Sequence, residues 1–157
     1  MKFNLFLLFL TTLCAVAYSD IFQIVQNSAA SKQWIVSKDG SITLSEFGTW
    51  WRNIAQGSFY EIVVNDGQPN AGHAVTYNGP GQHLMIKPRN FPPVSEQLWK
   101  FIPDDLGKPL AIRSVADSTQ CAIADAKGSF VQTSPDPKQL PLWKINKPVP
   151  RRVVPNS

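Results

Sequence analysis

The chain has only two cysteines in 157 residues, and Cys14 lies in a leader-like N-terminus. That leaves Cys121 alone in a mature protein, so no intramolecular disulfide is available and stability has to come from burial. Cys121 stands among small apolar neighbours in STQCAIAD and is expected on a buried strand. Charge is scarce too, at 17% Asp, Glu, Lys and Arg with a formal net charge of +4. Two of the positive charges, Arg151 and Arg152, belong to the tail, and no stripe of clustered Lys and Arg remains to bind nucleic acid. Apolar runs long enough to insert into a membrane are missing beyond residue 19. A sustained 3.6-residue apolar period is also missing, and the 13 prolines would interrupt one. Histidine is limited to His73 and His83, with no third His or Cys to complete a metal set. Serine-hydrolase, zinc-protease, Walker and dinucleotide motifs are absent, as are Asn-x-Ser/Thr acceptors. The one adjacent carboxylate pair, Asp104 and Asp105, sits in the turn-rich IPDDLGKP and is read as loop polarity. Neither an enzyme nor a cofactor or metal is expected.

What is present begins with Lys2, a short apolar run from Leu5 to Leu13, and small residues at Ala15, Ala17 and Ser19. This reads as a secretory signal over residues 1–19, which predicts an extracellular protein. The remaining length suits one domain over 20–147, followed by a flexible Pro-rich tail at 148–157.

Tryptophan marks an internal repeat. TWWRNI holds Trp51, QLWKFI holds Trp99 and PLWKIN holds Trp143, at spacings of 48 and 44 residues. Each closes a block of similar design, about 20–56, 57–105 and 106–147. Within each block, two β-branched or apolar runs flank a turn: Lys38 to Gly40, Asn78 to Gly81, and Asp125 to Gly128. These are hairpin signals, because Gly and Asn accept the positive φ such turns need. The expectation is an all-β chain of roughly twelve short strands in a closed architecture. A large ring at one place in every block predicts that Trp51, Trp99 and Trp143 fill a shared core.

The order of these blocks, with EQLWKF and GSFVQTSPDPKQLPLW, resembles the Gln-x-Trp repeats of ricin-B-type lectin domains. The stretch YEIVVNDGQPNAGHAVTYNGPGQHLMIKP is similar to an opening repeat of the small disulfide-free fungal trefoil lectins. The resemblance covers Ile21 to Lys147 and implies a β-trefoil of three four-stranded repeats with pseudo-three-fold symmetry, recognising glycans or glycoproteins. The ricin-type acidic sugar residue is missing, its positions holding Val36, Val75 and Ile123.

Trp34 and Trp50 have no Trp counterpart in the other blocks, and strand alternation along GTWWRNI sends Trp50 outward if Trp51 points inward. An exposed indole offers a flat face to a pyranose, with Asp39, Asn53, Gln33 and Thr49 near enough in sequence to take hydroxyls. The lectin resemblance points to Trp34, Leu44, Gly48, Thr49 and Trp50, with Thr49 where that pattern has an aromatic. The predicted carbohydrate site is therefore Trp34, Asp39, Leu44, Gly48, Thr49 and Trp50. The alternative is a trefoil protease inhibitor acting on a protease through the Pro-ordered loop Pro88 to Ser95, with Arg89 or Phe91 entering the specificity pocket.

Overall fold

The computed structural model describes residues 20–28, 31–103, 106, 108–135 and 143–148. The expected signal segment at residues 1–19, Asp104–Asp105 and the expected tail beyond Pro148 lie outside them. Twelve strands are described: β1 (Ile21–Gln26), β2 (Gln33–Val36), β3 (Ile42–Ser45), β4 (Trp51–Gln56), β5 (Phe59–Val64), β6 (His73–Thr76), β7 (Met85–Pro88), β8 (Trp99–Ile102), β9 (Ala111–Ser114), β10 (Cys121–Ala124), β11 (Val131–Ser134) and β12 (Trp143–Asn146). A single 3-10 turn at Ser95–Gln97 precedes β8.

Antiparallel pairing closes six of them into a ring. Phe22 faces Trp51 between β1 and β4, β4 pairs along its whole length with β5, and Tyr60 faces Trp99 between β5 and β8. Strand β8 pairs with β9, Leu110 bridges to Trp143, and β12 returns to β1. Among the described residues, each of the six strands thus has a neighbour on both sides, as closure of a barrel requires.

The other six strands form three hairpins, β2–β3, β6–β7 and β10–β11. Their turns are the three anticipated from Gly and Asn; Gly40 and Gly128 hold φ of +84° and +63°, where only glycine is unstrained. The hairpins join one another through Ser41 to Met85, His83 to Gln132, and Phe130 to Thr43, a closed triangle capping the barrel. A six-stranded barrel with a three-hairpin cap, built from β1–β4, β5–β8 and β9–β12, is a β-trefoil.

Trp51, Trp99 and Trp143 are fully buried, as their recurrence predicted, and Cys121 is buried on β10. Trp99 Nε1 donates to the Val75 carbonyl at 3.0 Å and Trp143 Nε1 to the Ala122 carbonyl at 2.8 Å, so two indoles tie barrel to cap. The pairings Val25–Gln33, Val63–Ala74 and Arg113–Cys121 set the register between repeats. By that register Trp34, Val75 and Ala122 occupy equivalent inward positions, followed by Val36, Tyr77 and Ala124.

Candidate functional site

The structure brings Trp34, Leu44, Gly48 and Thr49 of the predicted block-one site together but buries Trp34, Leu44 and Thr49, and leaves Asp39 and Trp50 to other neighbours. Trp34 is completely buried, with its ring edge-to-face against Trp51 at 6.3 Å and Trp143 at 5.2 Å. It is a core residue, wedged between the tryptophans that close repeats one and three, and presents no exposed face to a sugar. Leu44 lies directly across the hairpin from Trp34, on the same inward face, and is buried with it. Thr49 is buried as well. Its N–H donates to the Trp34 carbonyl at 2.8 Å and its hydroxyl accepts the Val36 N–H at 3.1 Å, which straps the β3–β4 connection onto β2. Gly48 serves the same packing, because a Cβ there would stand 2.5 Å from Gln33 Oε1 and 2.7 Å from Gln33 Cβ. Gln33 itself donates to the Glu46 carbonyl at 3.1 Å.

Asp39 and Trp50 keep exposure, but different neighbours hold them. The Asp39 carboxylate accepts from the Ser37 hydroxyl and from the Ser41 hydroxyl and N–H, which lowers its pKa to about 2. It closes its own turn in the manner of Asx motifs. Trp50 is half-buried while Trp51 beside it is fully buried, as alternation required. The Gln68 amide grips its backbone, accepting from Trp50 N–H at 3.1 Å and donating to its carbonyl at 2.7 Å. Asn53 is half-buried on β4.

The loop from Pro88 to Ser95 is only partly as anticipated. Arg89 is not free to enter a pocket: Nε and an Nη of its guanidinium pair with both oxygens of Glu61, at 3.0 and 2.8 Å, and Glu61 is completely buried on β5. Phe91 is 77% exposed, with the Arg89 guanidinium carbon 4.7 Å from its ring centre.

Repeat two instead carries a groove that the block-one prediction passed over. It is an open concavity of about 540 Å³ between the β6–β7 hairpin and the loop before β8, lined by Tyr77, Lys87, Asn90, Val94 and Glu96 over Gln97. The floor is the Gln of EQLWKF. Buried Gln97 donates to the Pro88 carbonyl at 2.9 Å and Thr76 Oγ1 at 3.3 Å, and accepts the Asn90 N–H at 3.0 Å. One side chain thus fixes both walls. Tyr77 is half-buried, its N–H donating to the Glu96 carbonyl at 2.8 Å and its hydroxyl to Asp117 Oδ2 of repeat three at 3.4 Å. Burial first, and the Asp117 charge second, push the Tyr77 hydroxyl pKa upward, so it remains a neutral phenol. Lys87 Nζ donates to Asn78 Oδ1 at 2.7 Å, and the Glu96 carboxylate is exposed. Chemically, the groove sets a tyrosine side chain beside an ammonium, an amide and a carboxylate. Tyr77 was detectable by the criterion applied to Trp34 and Trp50, since its equivalents are Val36 and Ala124.

A smaller concavity of about 320 Å³ adjoins Asn78, lined also by Gln82, His83 and Met85, and His83 stacks on Phe130 at 4.3 Å.

No protein-family profile and no characterised protein matches the sequence. Solved structures do match the fold. The designed three-fold symmetric protein ThreeFoil gives a TM-score of 0.63 at 14% identity, over 82% of this chain and 99% of its own. A salivary protein from Culex quiquefasciatus, of the Cysteine and Tryptophan-Rich family, gives 0.62 at 16% identity over 83% and 94%. The GlcNAcα1-4Gal-releasing endo-β-galactosidase from Clostridium perfringens gives 0.68 at 8% identity; 83% of this chain matches 33% of the enzyme. At these identities the shared property is the fold.

Proposed function

We propose that this chain is a secreted, non-catalytic carbohydrate-binding protein whose site is the repeat-two groove rather than the block-one tryptophans. The observation that carries the reading is the braced constellation of Tyr77, Lys87, Asn90 and Glu96 over Gln97. A pyranose needs an apolar surface for its C–H face and fixed donors and acceptors for its hydroxyls, and this groove presents both within the roughly 300–1,000 Å³ range of ligand pockets. Because Gln97 holds both walls, little ordering is left to be done on binding. Secretion rests on the leader-like residues 1–19. Affinity for a single sugar should be weak, since one partial ring face and a few hydrogen bonds must offset the ordering of both partners.

The test is a glycan array on residues 20–157, with the disaccharide GlcNAcα1-4Gal included because an enzyme sharing the fold releases it. Binding by the parent and its loss in Tyr77→Ala and Glu96→Gln supports the reading. Binding that survives both changes removes the groove from consideration.

A second reading is favoured by one observation: Phe91 stands 77% exposed on a loop braced at Arg89 and Asn90. An inhibitor would present Phe91, not Arg89, to a protease with an apolar specificity pocket. Inhibition of chymotrypsin that vanishes in Phe91→Ala would establish it.

A further inference from the structure

A buried ion pair is a costly device, and one between a barrel strand and a surface loop calls for a reason. Glu61 is wholly buried on β5, and beyond Arg89 it also accepts from Gln56 Nε2 at 2.9 Å. The pair locks the Arg89 guanidinium, and the guanidinium in turn lies over one face of the Phe91 ring. That leaves the opposite face to solvent, consistent with the ring's 77% exposure. The chain from Glu61 through Arg89 to Phe91 therefore holds an exposed aromatic ring in one place.

The position of that ring matters because Asn90 and Val94 line the groove and Phe91 lies between them in the chain. Its Cα is about 3.8 Å from that of Asn90. Val94 is itself 38% exposed and extends the apolar surface from the groove wall. The charges point the same way. Arg89, the guanidinium suited to clamp a carboxylate or sulfate, is committed to Glu61, and Lys87, which donates to Asn78, lines the groove together with one carboxylate, Glu96. The described lining therefore carries one positive and one negative side chain, with no excess of positive charge to favour an anionic sugar.

From this geometry we infer that the ligand is a neutral oligosaccharide of at least two units, one seated on Tyr77 in the groove and the next stacked on the free face of Phe91. The inference rests on the groove being a sugar site. Phe91 is the contact residue; Arg89 is a positioning residue that fixes the ring.

The test measures binding of residues 20–157 to matched neutral series, from monosaccharide to tetrasaccharide. The probes are the 1→4-linked N-acetylglucosamine series and the galactose, lactose and N-acetyllactosamine series, with sulfated lactose alongside. Affinity should rise from monosaccharide to disaccharide, and Phe91→Ala should cancel that rise. The expected loss is about tenfold, the size of one aromatic contact, while monosaccharide binding stays unchanged. Phe91→Trp should restore the rise. Phe91 is exposed, so these variants should fold as the parent does, and thermal melting checks it. Equal affinity along the series, preference for sulfated lactose, or a Phe91→Ala protein that still gains with length would overturn the inference while leaving the groove reading intact. Failure of the parent to bind any member, or binding untouched by Tyr77→Ala, would overturn both. Loss of chymotrypsin inhibition in Phe91→Ala with glycan binding unaltered would assign the ring to a protease instead.

Discussion

Replacing Trp34 by Ala separates the core assignment from the surface one. The ring is fully buried and meets Trp51 and Trp143 edge-to-face, so its removal opens a cavity at the join of barrel and cap. Truncating a buried Trp costs about 3–5 kcal/mol. Two edge-to-face pairs add about 0.5–1.5 kcal/mol each. One feature opposes them: Trp34 Nε1 is buried without a partner, and removing such a donor relieves about 1–3 kcal/mol. The opposing increments nearly cancel, so the expected loss stays at about 3–5 kcal/mol, a large part of the roughly 5–15 kcal/mol of an ordinary domain. In melting temperature that is a fall of about 10–20 °C. Trp34→Phe keeps a ring against both partners and sheds the orphan donor, so it should lose no more than about 1–2 kcal/mol. Urea unfolding followed by circular dichroism reads both, and glycan binding by the folded protein should be unchanged. A loss below about 1 kcal/mol in Trp34→Ala, accompanied by lost binding, would refute the core assignment and return Trp34 to the surface.

Gly48→Ala should destabilise by about 1–3 kcal/mol, because its Cβ would press on Gln33 at 2.5 Å; an unaltered melting temperature would contradict that. Arg89→Met should cost about 3–5 kcal/mol by stranding the buried Glu61 charge, and adding Glu61→Leu should recover most of it. If the double variant is no better than the single, the charge is not what is lost. The pH response comes from turn carboxylates. Asp39 is lowered to about 2, first by the Ser37 hydroxyl and then by Ser41. Asp117 is lowered first by the Thr119 hydroxyl, and Asp125 first by the Phe130 N–H. Depressed folded pKa values stabilise above the unfolded value of 3.8 and cease to as pH falls through the folded value. Stability should therefore decline below about pH 4 toward pH 2, and Asp39→Asn should remove part of that decline. A parent whose urea midpoint is flat over that window would show the turns contribute nothing.

The fold was legible because its determinants recur. Trp51, Trp99 and Trp143 stand at equivalent places and all three are buried, and three Gly-containing turns mark three hairpins. Alternation also separated Trp50 from Trp51. Chain closure was not readable from any single strand: it depends on pairs such as Tyr60 with Trp99 and Leu110 with Trp143, far apart in sequence.

The orientation of Trp34 was harder to read than that of Trp50. Strand pairing makes Val75 and Ala122 the counterparts of Trp34 in the other two repeats. In a strand, one residue exchanges the inward face for the outward one. The segment QWIV gives no alternation by which to orient Trp34, since Trp34, Ile35 and Val36 are all apolar. The segment SITLS does alternate, and it already turned Leu44 inward with Ile42. Because Leu44 faces Trp34 across the hairpin, that clean strand fixes the ambiguous one and buries the indole. The same register aligns Tyr77 with Val36 and Ala124, so the second large ring without a counterpart packs partly against the core, in the repeat where Gln97 holds a groove open beside it.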